Sequence, residues 1–553
     1  MLELFTTDWR ALWSGIESQE PVGAVYTRAE IVELILDLAG YDPAVRRLAE
    51  RPLLEPSCGD GAFLAVVVRR LLESEEIHRG VIDWHDSVLE GAIRAADISD
   101  GSVAAARAAV SAQLCLAGCD EERATSLCHE WIVQTDFLLE EWSASFDFVV
   151  GNPPYVRLED LPRRVLARYR EMYSTLTDRA DLYVAFFERG LELLSPTGTL
   201  AFICANRFTK NRYGAALRQL IARSFHVRHY VNLEHTQPFL TDVSAYPAIV
   251  VLDRERGIPT LAGTLDDISP AALDIVRSQA AGVGSRAGPL VEFASWYQDG
   301  GAWTTTCHKE YGILSGLGEK FPVLEESGAG TKVGIGVATG ADSVFVLPHK
   351  IEEIEESRQI PLLLSTDVRN DRIAWSGRYL LNPFDDRDDG SLVDLSSYSG
   401  MAGYIIRNEA RLRGRHVARS RPESWFRTID RVWPSLRHRP KLMIPDIQGG
   451  ATIGLDSGEF YPHHNLYWIV SDEWPLGALK ALLRSHLVYM QVRAHSVQMR
   501  GGSVRFQAQT LRKVRLPAVR RLSEGLLERL IAVGETDRQA EIDELAQEAF
   551  ATR

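Results

Sequence analysis

The sequence predicts an α/β chain in two parts, a doubly wound domain over residues 21–255 and a mixed α+β domain over 291–553. Three observations carry that prediction. Short apolar runs alternate with amphipathic stretches from about residue 21 to 255, as strands and crossover helices of a wound sheet do. After residue 255 the alternation stops and glycines and prolines cluster. Charge is also unevenly divided. The chain carries a net charge of −14, yet two arginine-dominated runs fall in its second half.

Residues 1–20 read as an extension before the first helix, which spans 28–39 with Ile31, Leu34, Ile35 and Leu38 on one face. A short buried strand at 52–56 runs into the turn Ser57-Cys58-Gly59-Asp60-Gly61, and a helix follows over 62–72. Further strands fall at 91–98, 131–136, 146–150 and 199–205. Helices lie around 102–116 and at 181–194. The runs 229–233 and 248–252 resemble a closing antiparallel pair. Residues 73–90 and 111–130 read as insertions, and 256–290 as a linker with a short helix. Residues 522–550 read as a charged helical pair.

Composition bounds the class. Hydrophobic content of 45% and charged content of 25% suit a soluble globular protein. No apolar run approaches the ~18 residues of a membrane helix, and the start lacks the basic region of a signal peptide. The six cysteines form no disulfide framework, so a reducing cytoplasm is expected. Between residues 401 and 441, eleven Arg and Lys face only Glu409, Glu423 and Asp430. From 484 to 515 there are seven bases and no acid. Interleaved with Trp425, Trp433 and Phe506, these runs favour contact with phosphates and bases over a merely solvated face. Arg413, Arg415, Arg500, Arg505 and Gln507 are the candidate DNA contacts, since Arg reads guanine and Gln reads adenine.

Two patterns carry chemistry. Leu54-Glu55-Pro56-Ser57-Cys58-Gly59-Asp60-Gly61 is a glycine turn after the first strand, where wound sheets bind ligands. It is neither the dinucleotide fingerprint nor a phosphate-cradling loop. Asp97 and Asp136 end the next two strands. A carboxylate at the first of these positions can take ribose hydroxyls, and one at the second an adenine amino group. Asn152-Pro153-Pro154-Tyr155 follows the strand Phe146-Asp147-Phe148-Val149-Val150-Gly151. The Asn152 side-chain oxygen and the Pro153 carbonyl can each accept one N–H of an exocyclic NH₂, freeing its lone pair. The prolines fix φ, and Tyr155 offers a face for a planar base. An ordinary proline turn would account for the tetrad alone. The ordered series Glu55, Asp97, Asp136, Asn152 is harder to obtain by chance.

With these residues in place, the chain resembles the γ-class (TaqI-like) DNA adenine-N6 methyltransferases over most of residues 20–255, with a looser match in the second half. The resemblance implies a Rossmann-like fold using S-adenosylmethionine and a C-terminal target-recognition domain. It implies cofactor contacts from Thr27, Glu55, Pro56, Ser57, Cys58, Gly59, Asp97, Asp136, Phe137, Asn152 and Pro154. It implies that Asn152, Pro153, Pro154, Tyr155 and Phe239 handle a flipped adenine, with Tyr155 and Phe239 on its two faces. Duplex DNA is the implied partner. A separate restriction endonuclease acting on the same site is a further one, and a monomer is expected. Asp181-Leu182-Tyr183 looks like the motif after the catalytic one, and 334–343, 462–467 and 500–507 look like recognition-domain segments.

Other readings remain open at this point. Cys115, Cys119, Cys128 and His129 have a spacing awkward for zinc, and no metal is expected. Pro445-Asp446 lacks the Asp/Glu-X-Lys partner of a nuclease. Cytosine-N4 or RNA adenine methylation poses nearly the same chemistry. Protein-glutamine methylation would not need so large a basic domain, and a DNA-binding module without activity would not need the tetrad.

Overall fold

The computed structural model describes residues 9–13, 25–241, 246–283, 288–294, 296–297, 300–303, 313–314, 316–318, 320–326, 330–387, 389–448, 451–496 and 504–551. It divides into two compact units, Met1–His308 and Lys309–Arg553.

The first unit is built on nine strands: β1 (Leu53–Glu55), β2 (Ile93–Asp97), β3 (Ile132–Gln134), β4 (Phe146–Gly151), β5 (Leu194–Ala205), β6 (His226–Asn232), β7 (Pro247–Asp253), β8 (Thr260–Thr264) and β9 (Leu290–Phe293). Their order is β3-β2-β1-β4-β5-β7-β6-β8-β9. The pairs from β3 to β5 are parallel, and β7 is antiparallel to both β5 and β6. β1 is buried along its whole length and so is β7, as strands covered by helices on both faces must be. Helix Ala29–Ala39 buries Ile31, Leu34, Ile35 and Leu38, the stripe its spacing predicts.

The strand order reverses at β1/β4, so the crevice lies at the carboxyl ends of those strands. Glu55, Asp97, Asp136 and Asn152 all sit at or just beyond strand ends on that side.

Two expectations are corrected here. The segment 256–290 is not a linker, because β8 pairs parallel to β6 and β9 antiparallel to β8, with helix Pro270–Ala280 between them. Its glycines misled the reading. A Cβ on Gly263 would lie 1.9 Å from the Pro289 carbonyl oxygen, so this glycine permits close approach of two backbones. The division between units accordingly falls at 308/309 rather than near 255 or 290. The insertions are helical and continuous with the core. Trp131 is buried and donates from Nε1 to the Leu89 carbonyl at 2.8 Å. Burial pushes the thiols of Cys119 and Cys128 up to about 11.

The second unit has two four-stranded sheets. One orders Thr331–Ile335, Leu466–Ser471, Lys441–Pro445 and Gly454–Asp456, all antiparallel. The other orders Val346–Leu347, Tyr379–Leu381, Gln359–Leu363 and Tyr461–Pro462. Helices Leu476–Arg484, His486–His495, Glu524–Gly534 and Gln539–Ala551 share a core with the first sheet. The last two are the pair expected over 522–550. Among the described residues no helix is long and apolar enough to cross a membrane.

Candidate functional site

The glycine turn after β1 is held from two sides. Gly59 N donates to Asp97 Oδ2 at 3.0 Å, and Ser57 Oγ donates to the Asn152 carbonyl at 3.0 Å. Cys58 N donates to the Ala96 carbonyl. Gly61 has φ 89°, and a Cβ there would meet the Ala106 backbone at 3.0 Å. The loop therefore ties the ends of β2 and β4 to β1. Its residues line a cavity of about 810 Å³ together with Thr27, Asp97, Asp136, Phe137 and the Asn152–Tyr155 tetrad. That volume is within the range of cofactor sites.

Glu55 is 1% exposed, and its Oε2 has no hydrogen-bond partner. Burial, then the charges of Asp97 and Asp60, hold its carboxyl well above the usual carboxylate range. Asp97 is raised by burial too, against hydrogen bonds from the backbone N–H groups of Ser99 and Gly59. A buried carboxyl short of a partner, with the charges of Asp97 and Asp60 beside it, suits a ligand that brings positive charge and hydroxyl donors. S-adenosylmethionine, with a sulfonium, an ammonium and a ribose, has that chemistry.

Glu55 has a raised pKa in the folded chain, so its stabilising contribution is full below the ordinary carboxylate range and is lost as pH rises through the raised value. A cation bound in the cavity favours the ionised form. Cofactor affinity is therefore expected to rise with pH through that window, with proton release on binding. Titration calorimetry in two buffers of different ionisation enthalpy reads this. Glu55→Gln should flatten it, and a pH-independent affinity in the unaltered protein would contradict it.

Asp136 departs from expectation. Its Oδ2 accepts from Tyr169 OH at 2.6 Å and Trp13 Nε1 at 2.9 Å, and its Oδ1 accepts from Leu138 N at 3.0 Å. Most of its accepting capacity is already used, leaving room for about one further donor. Trp13 and Tyr169 were missed by the sequence reading. Tyr169 lies outside every motif, and Trp13 falls in the stretch read as an extension. Helix Trp9–Trp13 instead contributes both tryptophans to the cavity lining. Phe137 is buried against Phe186, with ring centroids 5.1 Å apart.

At the end of β4, Asn152 Nδ2 donates to the Val25 carbonyl at 2.7 Å and to Thr27 Oγ1 at 3.2 Å. A carbonyl can only accept, so this contact fixes which end of the amide is nitrogen. Asn152 Oδ1 is left shielded from solvent with no partner. The Asp181-Leu182-Tyr183 segment braces the tetrad, since Leu182 N donates to the Val156 carbonyl at 2.8 Å. Tyr213, another residue the motifs did not mark, donates to Asp181 Oδ2 and contacts the Tyr183 hydroxyl. Tyr155 and Phe239 are neighbours as expected, but not as an open slot. Their centroids are 6.0 Å apart at 79°, an edge-to-face contact that must open to admit a base between parallel rings. Phe239 is held through a bridge to Thr27.

The candidate DNA contacts fare differently. Arg413 is exposed, pairs with Glu409 at 2.6 Å and lies over Trp425. Arg415 is engaged within its own unit. Its guanidinium donates to the carbonyls of Leu412, Thr339, Trp425 and Arg427, which makes it a structural clamp. Arg505 is engaged too. It forms a two-pronged pair with Asp446, which also absorbs the carboxylate of the Pro445-Asp446 string. Gln507 accepts from Gln509 Nε2 at 2.9 Å. Arg500 lies outside the described residues. Asp342, His463 and His464 bring three ligand-type atoms within 4.8 Å of one another. His463 Nδ1 is buried without a partner, lacking the orienting acceptor that metal-bound histidines ordinarily have.

Residues 115–239 match the family described as Eco57I restriction-modification methylase. A type II methyltransferase, M.XhoI of Xanthomonas vasicola, is 44% identical over 501 residues, covering 90% of this chain and 91% of its own. M.PaeR7I of Pseudomonas aeruginosa is 43% identical over 513 residues, covering 92% and 88%. M.BstVI of Geobacillus stearothermophilus is 38% identical over 544 residues, covering 96% of each. Among solved structures, the type IIL restriction-modification enzyme MmeI in complex with DNA has the same fold. Its TM-score is 0.62 at 14% identity, over 96% of this chain and 76% of that one.

Proposed function

Because the chain belongs to the type II methyltransferases of restriction–modification systems, we propose that it methylates N6 of an adenine swung out of duplex DNA. S-adenosylmethionine is the cofactor of this class. When bound, it supplies a methyl on a sulfonium, a leaving group good enough that no protein nucleophile is required.

The protein's own part is positioning. The observation that carries the reading is the Asn152 amide, whose nitrogen is committed to Val25 and whose shielded oxygen awaits a donor. An exocyclic N–H is such a donor, and the Pro153 carbonyl is the expected acceptor for the second. A base inside a duplex cannot reach a recessed acceptor, so the nucleotide must leave the stack. Tyr155 and Phe239 then part and close on its faces. In this reading the first unit is catalytic and the second selects the sequence. The protein acts as a monomer in the cytoplasm, alongside a separate endonuclease that reads the same site.

The substrate class is tested by transfer of labelled methyl from S-adenosylmethionine, with duplex DNA, RNA and protein offered separately. Label is expected in duplex DNA, and label in RNA or protein alone would overturn the reading. Stacking predicts a split at Tyr155. Tyr155→Ala should lower kcat/KM by roughly 5- to 150-fold, from the ~1–3 kcal/mol of a stacked base. Tyr155→Phe should be near neutral, because the hydroxyl has no partner to lose. Equal losses in both variants, measured at saturating cofactor, would assign the role to the hydroxyl instead.

A further inference from the structure

Most of the arginines in the second unit are engaged. Arg413, Arg439, Arg505, Arg512 and Arg529 all face carboxylates. One place differs. A notch of about 530 Å³ is lined by Gly340, Arg415, His416, Ser420, Arg421 and Arg427, with Val417 and Ile429 as its apolar part, and no carboxylate borders it. Arg421 is exposed, and its guanidinium makes no hydrogen bond or ion pair among the described residues. Arg427 uses Nε on the Thr428 carbonyl at 3.1 Å, and its guanidinium lies 5.7 Å from the Phe384 ring. Arg415 is clamped by main-chain carbonyls alone, so its charge meets no carboxylate.

The neighbouring acids are turned to other tasks. Asp430 accepts from Ala338 N at 2.9 Å. Glu423 borders a separate hollow that Arg427 also reaches. Burial, then the charge of Arg421, lowers the pKa of Arg427, with Asp430 opposing. Like charges gathered around a concavity without a counter-charge are stable where an anion joins them.

We propose that this notch is a seat for a backbone phosphate of duplex DNA, with Arg421 and Arg427 as its charged donors and His416 as a further donor. The inference rests on the DNA-methyltransferase reading and extends it by naming a contact that positions the duplex and reads no sequence. A fork of guanidinium donors matches phosphate oxygens. The clamped Arg415 fixes the floor, since it ties the Thr339 carbonyl to those of Trp425 and Arg427.

The test is binding of the full-length protein to a labelled duplex by fluorescence anisotropy over a range of salt. Arg421→Gln and Arg427→Gln are compared with Arg529→Gln, which removes the same charge from the C-terminal helices. One lost phosphate contact should lower the slope of log affinity against log salt by about 0.9. Each notch variant is expected to show that change, equally on duplexes of different sequence, with cofactor affinity and thermal midpoint unchanged. Arg529→Gln should keep the full slope. Notch variants with an unchanged slope on a duplex the unaltered protein binds would overturn the seat. A loss confined to one sequence would overturn it in favour of base contact. Inorganic phosphate raising the thermal midpoint of the unaltered protein, while the DNA slope stays unchanged in Arg421→Gln, would overturn it in favour of a free-anion site. An unaltered protein that binds no duplex at any salt would sink the functional reading itself and the seat with it.

Discussion

Asn152→Ala is expected to cut methyl transfer by about 10²–10³-fold at saturating cofactor and DNA. The magnitude is that of removing one preorganised hydrogen-bonding group aimed at the reacting centre. Asn152 Oδ1 already sits shielded and unpartnered, so its arrangement costs nothing further when the amino group arrives. Alanine also loses the 2.7 Å bond to the Val25 carbonyl, which holds the segment carrying Thr27. Some loss of cofactor affinity should therefore accompany the slower chemistry. Single-turnover rates separate the two. Asn152→Asp keeps an acceptor but presents a second oxygen to the Val25 carbonyl, so it should fall between the two. A rate within threefold of the unaltered protein in Asn152→Ala would remove this side chain from the mechanism.

Asp456→Ala is the second large effect, and it falls on stability. Lys441 is 0% exposed, and its Nζ lies 2.6 Å from Asp456 Oδ2, itself buried. The ammonium also donates to the carbonyls of Arg437 and Arg439 at 3.0 Å each. Asp456 in turn accepts from the backbone N–H groups of Gly458, Glu459 and Phe460. Removing the carboxylate strands a buried charge and three donors at once. A buried pair broken on one side costs about 3–5 kcal/mol. Thermal unfolding followed by tryptophan fluorescence should show the second unit's transition move down by several degrees. Asp456→Asn keeps the acceptor for the turn and should lose less. An unmoved transition in Asp456→Ala would mean that solvent reaches Lys441.

That lysine also shows where sequence reading runs out. Lys441 closes the basic run from 401 to 441, and nothing in the run marks it as core. The engagement of Arg415 and Arg505 is hidden for the same reason, because a guanidinium that clamps carbonyls or pairs with a carboxylate looks in sequence like one waiting for phosphate. The fold of the first unit was legible because strand ends and motif residues coincide. Glu55, Asp97, Asp136 and Asn152 each lie at or just past the end of a strand in the parallel part of the sheet, and helices separate β1, β2 and β3 from one another and β4 from β5. β8 and β9 were not legible, since their pairing depends on a glycine that lets backbones touch, and glycine ordinarily signals a loop. Trp13 and Tyr169 were invisible because they reach Asp136 from 123 and 33 residues away, and no local pattern encodes such a contact.

The central claim is that the Asn152–Tyr155 tetrad presents the adenine amino group for methylation. Identifying the methylated nucleoside decides the matter. Duplex DNA is treated with the protein and S-adenosylmethionine, digested to nucleosides, and resolved by chromatography with mass detection. N6-methyladenine formed by the unaltered protein, and absent with Asn152→Ala, is the predicted result. N4-methylcytosine in its place, or N6-methyladenine undiminished in the variant, would contradict the account.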